Sequence, residues 1–292
     1  MTTGQWAGPG QESVRNTGPG PHPWNRFVAL GDSFTEGIGD PEPLSPGGLR
    51  GWADRVAEEL SEDHPDFAYA NLAVRGLLLQ QILDEQLEPA LALKPDLVTL
   101  SAGGNDLVFR GSDPDRLAEK LDPVVDRLSA TGATVVLFTG PDWGATPLFG
   151  LIRGKVAIFN EHLRTIATRH DSIVADLWSL RQLRDPVMWD PDRLHFSPLG
   201  HHTVAAMVLD TMNIPHTLSP LVPKPLPPSS WREARTGDFI WAKEYLAPWI
   251  LRRLRHRSEE NHAAKRPYAG PVVGSGIPDQ TLPDTALPGS SS

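Results

Sequence analysis

A serine at the end of an apolar run is the first residue of this sequence that could do chemistry. Ser33 follows Arg26–Leu30 within a Gly-Asp-Ser turn. A turn placed there displays a hydroxyl at the edge of a sheet, above the free N–H groups and positive dipole end of a starting helix. A plain helix cap is an equally good interpretation of Ser33 on this segment alone.

A nucleophilic serine needs a base, and His195 is the best placed of the ten histidines. It lies in a polar turn three residues after Asp192. That spacing lets the carboxylate reach the imidazole and fix its tautomer. We therefore predict His195 as general base, oriented by Asp192 in preference to the competing Asp190.

Two other segments can supply hydrogen-bond donors to an oxyanion. Gly76 ends the segment Asn71–Gly76, and Asn105 follows the paired glycines Gly103 and Gly104. Each has a simpler interpretation by itself, as a turn glycine or a turn-forming side chain. Their conjunction with Ser33 and His195 indicates a serine hydrolase site.

The elements that must position these residues are read from the hydrophobic pattern. Predicted strands are Arg26–Leu30, Phe67–Ala73, Asp96–Ser101, Thr134–Thr139 and Ser172–Ala175. Helical spacing joins Trp52, Val56 and Leu60; Leu78, Ile82 and Leu87; Val156, Phe159, Leu163 and Ile166; and a last helix over Pro198–Met212 follows Ser197 as N-cap. Alternating strands and helices predict an α/β domain with a central parallel sheet of about five strands, whose carboxyl edge gathers the polar segments.

Several common active-site motifs are absent from the chain. There is no G-x-S-x-G elbow around Ser33, which argues against an ordinary α/β-hydrolase. Walker A, HExxH and GxGxxG patterns are also missing, so we expect no cofactor and no metal site.

Residues 26–213 instead resemble the SGNH or GDSL-type serine hydrolases. The likeness rests on four blocks in order, Gly31–Ser33, Gly76, Gly103–Asp106 and Asp192–His195. It implies a flavodoxin-like three-layer α/β/α sandwich that cleaves carboxylic esters through an acyl-serine. It also implies Ser33 as nucleophile, His195 as base and then acid, Asp192 as its orienting acid, and an oxyanion hole made by the N–H groups of Ser33 and Gly76 and the side-chain amide of Asn105. Phe34 stands where Leu is commoner and is expected to alter packing rather than chemistry.

The substrate pocket is the least determined part of the site. Trp143, Leu148, Phe149 and Leu151 follow the fourth predicted strand and are candidate acyl-pocket walls, although a core-packing loop is an equal alternative. Trp189, just before the His195 turn, is a second candidate wall. We expect a short or medium acyl ester, or an O-acetyl group, as substrate; acyl transfer and thioester cleavage by the same residues stay open.

The composition of the chain disfavours some classes of binding partner. The chain has 27 Lys and Arg against 36 Asp and Glu, a formal charge of −9, which disfavours nucleic acid as a partner. The 292 residues include no cysteine, and neither a secretory signal nor a membrane-spanning run is evident, so we expect a cytoplasmic location. The oligomeric state is not predicted.

The flanks of the predicted domain, 25–214, differ from it in composition. Residues 1–24 are predicted to be a flexible leader, 215–230 a proline-rich linker and 258–292 a disordered tail. The segment 231–257 is predicted to be an amphipathic helix with a basic end. It either packs on the domain, which we favour, or makes a peripheral membrane contact as a scaffold or binding element.

Overall fold

The computed structural model describes residues 22–62, 64–109, 111–143, 149–221, 244 and 263–272. Its centre is one sheet of six strands in the order β5-β4-β3-β1-β2-β6. The strands are β1 (Arg26–Leu30), β2 (Ala68–Asn71), β3 (Leu97–Leu100), β4 (Thr134–Phe138), β5 (Ile173–Ala175) and β6 (Arg266–Pro271). The first five are parallel and β6 runs antiparallel to β2.

The five predicted strands and the flavodoxin-like order are confirmed. Without β6 the order is 2-1-3-4-5, the doubly wound arrangement with its switch point beside β1. Predicted and observed bounds agree for β1 and differ by one to two residues at most ends of the others, as is usual for the ends of secondary-structure elements.

Helices cover both faces of the sheet. They are α1 (Ser33–Glu36), α2 (Trp52–Ser61), α3 (Leu79–Ala92), α4 (Gly104–Leu107), α5 (Pro114–Ser129), α6 (Arg153–Arg169) and α7 (Pro198–Thr211). Short 3₁₀ turns occupy Pro46–Gly48, Phe149–Ile152, Arg181–Arg184 and Pro186–Met188. The predicted helical faces correspond to α2, α3, α6 and α7, and Ser197 caps α7 as predicted by accepting from the Gly200 N–H. The sequence prediction did not include α5, although its buried residues Leu117, Leu121, Val124 and Leu128 have helical spacing.

Side chains of each strand alternate between two cores, as parallel sheets buried on both faces require. Along β1, Val28 and Leu30 join the core under α3, α5 and α6, while Phe27 and Ala29 join the core under α2 and α7. Each large apolar side chain buried in this way contributes roughly 1.5–3 kcal/mol to folding. The two cores fix the strands, so the loops at their carboxyl ends have a rigid base.

The expectation of a disordered tail over 258–292 is wrong for residues 263–272. There β6 pairs with β2 at the sheet edge, and the Arg266 guanidinium lies over the Tyr69 ring at 5.0 Å. Its two prolines, Pro267 and Pro271, misled the prediction, because proline is excluded from central strands but tolerated at an edge.

The end of the predicted leader also differs from expectation. Trp24 is buried, and its indole N–H donates to Thr134 Oγ1 at 3.0 Å, so the folded part starts before residue 25. Most of the leader, the linker beyond Leu221 and all of the predicted helix 231–257 except Glu244 lie outside the described residues.

No helix in the described part of the chain is long and apolar enough to cross a bilayer.

Candidate active site

One cavity at the carboxyl ends of the parallel strands brings the predicted site residues together. Its volume is about 960 Å³. Of the predicted site residues, those lining it are Ser33, Gly76, Asn105, Trp143, Trp189, Asp192 and His195. Leu148 lies outside the described residues, and the side chain of Phe149 is likewise not described.

The turn between β1 and α1 presents Ser33 to this cavity. Gly31 has φ +156°, and a Cβ there would lie 2.4 Å from Thr35 Oγ1 and 2.8 Å from the Ser101 carbonyl oxygen, so only glycine fits. Asp32 is the N-cap of α1 and accepts from the Phe34 N–H at 3.1 Å. The alternative that Ser33 is itself the helix cap is therefore wrong. Ser33 is half-buried, and its hydroxyl makes no hydrogen bond to any residue that the structure describes.

In the turn that contains His195, hydrogen bonds between residues close in sequence fix the positions of Asp192 and His195. Asp192 Oδ2 lies 2.6 Å from His195 Nδ1. The other oxygen, Oδ1, accepts from the backbone N–H groups of Leu194 (2.8 Å) and His195 (2.9 Å). Because Nδ1 donates to the carboxylate, Nε2 is left as the acceptor. The contact of Asp190 is a different one: its carboxylate accepts from the Asp192 N–H at 3.4 Å.

The two acids of this turn have opposite electrostatic environments. Burial acts to raise the pKa of Asp192, but hydrogen bonds and charge from His195 and two backbone N–H groups outweigh it, so this pKa is lowered. Burial and the neighbouring charge of Asp192 raise the pKa of Asp190. Asp192 is thus the carboxylate held ionised against the imidazole.

Asn105 reaches the cavity from the start of α4. Its side-chain N–H groups donate to Asp32 Oδ2 at 2.9 Å and to the Leu77 carbonyl oxygen at 3.0 Å. An oxyanion bound here must share or take one of these hydrogens. Gly103 before it has φ +92°, and a Cβ there would lie 2.9 Å from Phe159, so this turn also requires glycine.

Gly76 lies in the loop after β2 with φ +81°. Apart from its two chain neighbours, no described residue has an atom within 4 Å of the position that a Cβ would occupy. The glycine is therefore required by its backbone conformation rather than by crowding, and a side chain there would face open space beside the cavity.

The aromatic wall is partly as predicted. The rings of Trp143 and Trp189 lie 6.4 Å apart at the cavity, and Trp189 packs on Phe196 at 4.5 Å. Leu151 is not a pocket wall, because it is 81% exposed on a 3₁₀ turn that faces solvent. Phe34 packs on Trp52 at 5.4 Å and also lines the cavity.

Residues 29–203 match the model of the GDSL-like lipase/acylhydrolase family. The chain belongs to this family. It is accordingly a carboxylic ester hydrolase, and the four sequence blocks, including Ser33 and His195, fall inside the matched region.

Several solved structures share the fold of this GDSL hydrolase. LAE5, an alpha/beta hydrolase enzyme from the metagenome of Lake Arreo, is 22% identical, with a TM-score of 0.55 over 65% of this chain and 95% of its own. The lipase/acylhydrolase from Enterococcus faecalis is 21% identical, with a TM-score of 0.54 over 66% and 99%. Axe2, an acetylxylan esterase from Geobacillus stearothermophilus, is 19% identical, with a TM-score of 0.53 over 64% and 94%. No curated protein sequence matches the chain at a significant level.

Two buried side-chain amides of the GDSL hydrolase form hydrogen bonds to the backbone around Ser33. The sequence analysis did not predict either of them. Gln86, on α3, accepts from the Gly31 N–H at 2.9 Å and donates to the Gly31 carbonyl at 2.8 Å. Asn71, at the end of β2, donates to the Thr35 carbonyl at 2.8 Å. A polar residue on an otherwise apolar helix face was the one available signal for Gln86.

Proposed function

We propose that this GDSL hydrolase cleaves its ester through an acyl-serine formed on Ser33. His195 Nε2 takes the hydroxyl proton as the Ser33 oxygen attacks the ester carbonyl. His195 then protonates the departing alcohol and later activates the water that releases the acid. Asp192 holds the imidazole in the required tautomer and stabilises its charged form.

The oxyanion formed in each step is held by three donors. These are the N–H groups of Ser33 and Gly76 and the side-chain amide of Asn105. In the structure Asn105 donates to Asp32 and Leu77. The stronger acceptor, an oxyanion, competes for one of these hydrogens only as charge develops, which favours the transition state over the ground state.

The substrate is a short or medium acyl ester, including O-acetyl esters. A cavity of about 960 Å³ accommodates such an acyl group together with part of the alcohol. The Trp143 and Trp189 rings provide an apolar wall on the His195 side.

The observation that carries this proposal is the 2.6 Å contact between Asp192 and His195 at the rim of the cavity that Ser33 also lines. The test is labelling with a fluorophosphonate and mapping of the modified peptide, combined with turnover of p-nitrophenyl esters of graded chain length. We expect the label on Ser33, and both labelling and turnover lost in Ser33→Ala. A matched variant, Ser129→Ala on the distant helix α5, should behave as the parent. Normal turnover by Ser33→Ala would refute the acyl-serine.

A further inference from the structure

The short helix that begins with Ser33 depends on distant side chains at its carboxyl end. A helix of four residues cannot satisfy its last carbonyl groups internally. Asn71 satisfies the carbonyl of Thr35, and the Lys265 ammonium donates to the carbonyl of Glu36 at 3.1 Å. Lys265 is the residue directly before β6. It lies 229 positions along the chain from Glu36 and outside the region that matches the family model.

Burial of the charged Lys265 side chain is unfavourable, and an ion pair with Asp54 compensates for it. Its side chain is 1% exposed, and its ammonium lies 2.5 Å from Asp54 Oδ2, whose side chain is 6% exposed. Asp54 also accepts from the Gly51 N–H at 3.0 Å, at the start of α2. One buried cation therefore joins the end of α1 to the beginning of α2. A buried charge without such a partner would be strongly destabilising.

Glycines make the room that this lysine occupies. A Cβ on Gly47 would lie 3.1 Å from the lysine Cγ, and one on Gly37 would lie 3.6 Å from Nζ. Gly37 and Gly51 also allow α1 and α2 to approach, since a Cβ on Gly37 would lie 2.7 Å from Gly51. The glycines that let α1 and α2 approach each other therefore also leave space for the Lys265 side chain.

Glu36 connects the same point to the proposed oxyanion loop. Its carboxylate accepts from the Arg75 backbone N–H at 2.7 Å and from Arg75 Nε at 2.9 Å. Arg75 directly precedes Gly76. A shift of Glu36 would therefore be transmitted in two directions, to Ser33 within α1 and to Gly76 through Arg75.

We propose that Lys265 is a positioning residue for the acylation step, holding Ser33 and Gly76 in register through the Glu36 carbonyl. This inference rests on the proposed function of Ser33. It assigns the segment that leads into β6, which the family match does not include, a part in the geometry of the active site.

The test separates the hydrogen bond to Glu36 from charge balance. Lys265→Met keeps the stem but leaves Asp54 buried and unpaired, so we expect a lower melting temperature as well as lower activity. The double variant Lys265→Met with Asp54→Asn removes both charges and should recover most of the melting temperature. Lys120→Met, at an exposed position of α5, is the matched control and should match the parent.

Kinetics are measured well below every melting temperature, per mole of folded protein. In the double variant we expect kcat for p-nitrophenyl acetate and the rate of Ser33 phosphonylation to fall together, by roughly 10- to 100-fold, with KM changed by less than about threefold. Parent-like rates in the double variant would refute the positioning role and leave Lys265 as a structural ion pair only. Failure of the parent itself to react at Ser33 would instead refute the proposed function, and the positioning role with it.

Discussion

The two halves of the proposed catalytic site are supported in opposite ways. The Ser33 turn is held by side chains far along the chain, with Asn71 36, Gln86 55 and Lys265 229 residues from the groups they bind. The His195 turn is held from within: Asp192 caps its backbone, the Asp190 N–H donates to the His195 carbonyl, and Ser197 bonds to Val187 only ten residues away. The base and its acid therefore form a local unit, whereas the position of the nucleophile depends on the assembled fold.

This contrast predicts how each half responds to substitution. A change inside the His195 turn should alter the chemistry while the rest of the fold is unaffected. A change in a support of the Ser33 turn should alter stability and rate together, because the same buried contacts serve both.

After Ser33→Ala, the largest effect is expected from Asp192→Asn. The remaining amide oxygen can still accept from the Leu194 and His195 N–H groups, but the NH₂ group would face His195 Nδ1 and force the proton onto Nε2. We expect kcat to fall by about 10⁴ with little change in melting temperature. Asp190→Asn is the matched control, and a loss of similar size there would mean that the orienting acid is misassigned.

Asn105→Ala should come next. Removal of one oxyanion donor costs roughly 10²–10³ in kcat and leaves KM nearly unchanged. Steady-state kinetics with p-nitrophenyl acetate measure both constants. An effect confined to KM would show that Asn105 binds the ground state and not the oxyanion.

Gln86→Leu tests the remote support of the nucleophile. It removes both hydrogen bonds to Gly31 and leaves buried backbone groups unpaired, so we expect a lower melting temperature and a kcat lower by roughly tenfold or more. Gln80→Leu, exposed on the same helix, is the control. If kcat at a temperature where Gln86→Leu is folded equals that of the parent, the support is not needed for catalysis.

The smallest expected effect is a pH dependence of the free energy of unfolding that arises from His201, six residues after His195. It is fully buried, accepts from the Trp52 N–H at Nδ1 and donates to the Ile38 carbonyl at Nε2. Burial, aided by the nearby charges of Arg55, Lys265 and His195, lowers the pKa of His201 from 6.5 to about 3.

Because this pKa is lower in the folded state, its stability contribution is complete above pH 6.5 and is lost as pH falls from there toward 3. The loss is about 2 kcal/mol at pH 5. Denaturant unfolding between pH 7 and 5 should show this slope, and His201→Asn should flatten it. A slope equal to that of the parent in His201→Asn would contradict the assignment.

The same contrast explains how much of the molecule the sequence predicts. Asp192 and His195 stand three residues apart in one turn, so short-range spacing was enough to pair them. The five parallel strands were predicted because each is a short apolar run with helical spacing on either side. Gln86, Asn71 and Lys265 act through contacts between elements whose relative positions only the folded sheet determines. Only Gln86 has a local signal, as a polar residue on the apolar face of α3. β6 was missed because its composition is that of a loop and its pairing is created by β2 alone.

The antiparallel edge strand also decides where the chain can safely be shortened. A version ending at residue 221 would keep α7 but remove β6, one of the two neighbours of β2, and expose N–H and C=O groups of β2 to other molecules, a setting that promotes aggregation. The intact edge is a poor template for further strands, since Pro267 and Pro271 cannot donate to another ladder. Expression of the full chain should therefore give the more soluble preparation.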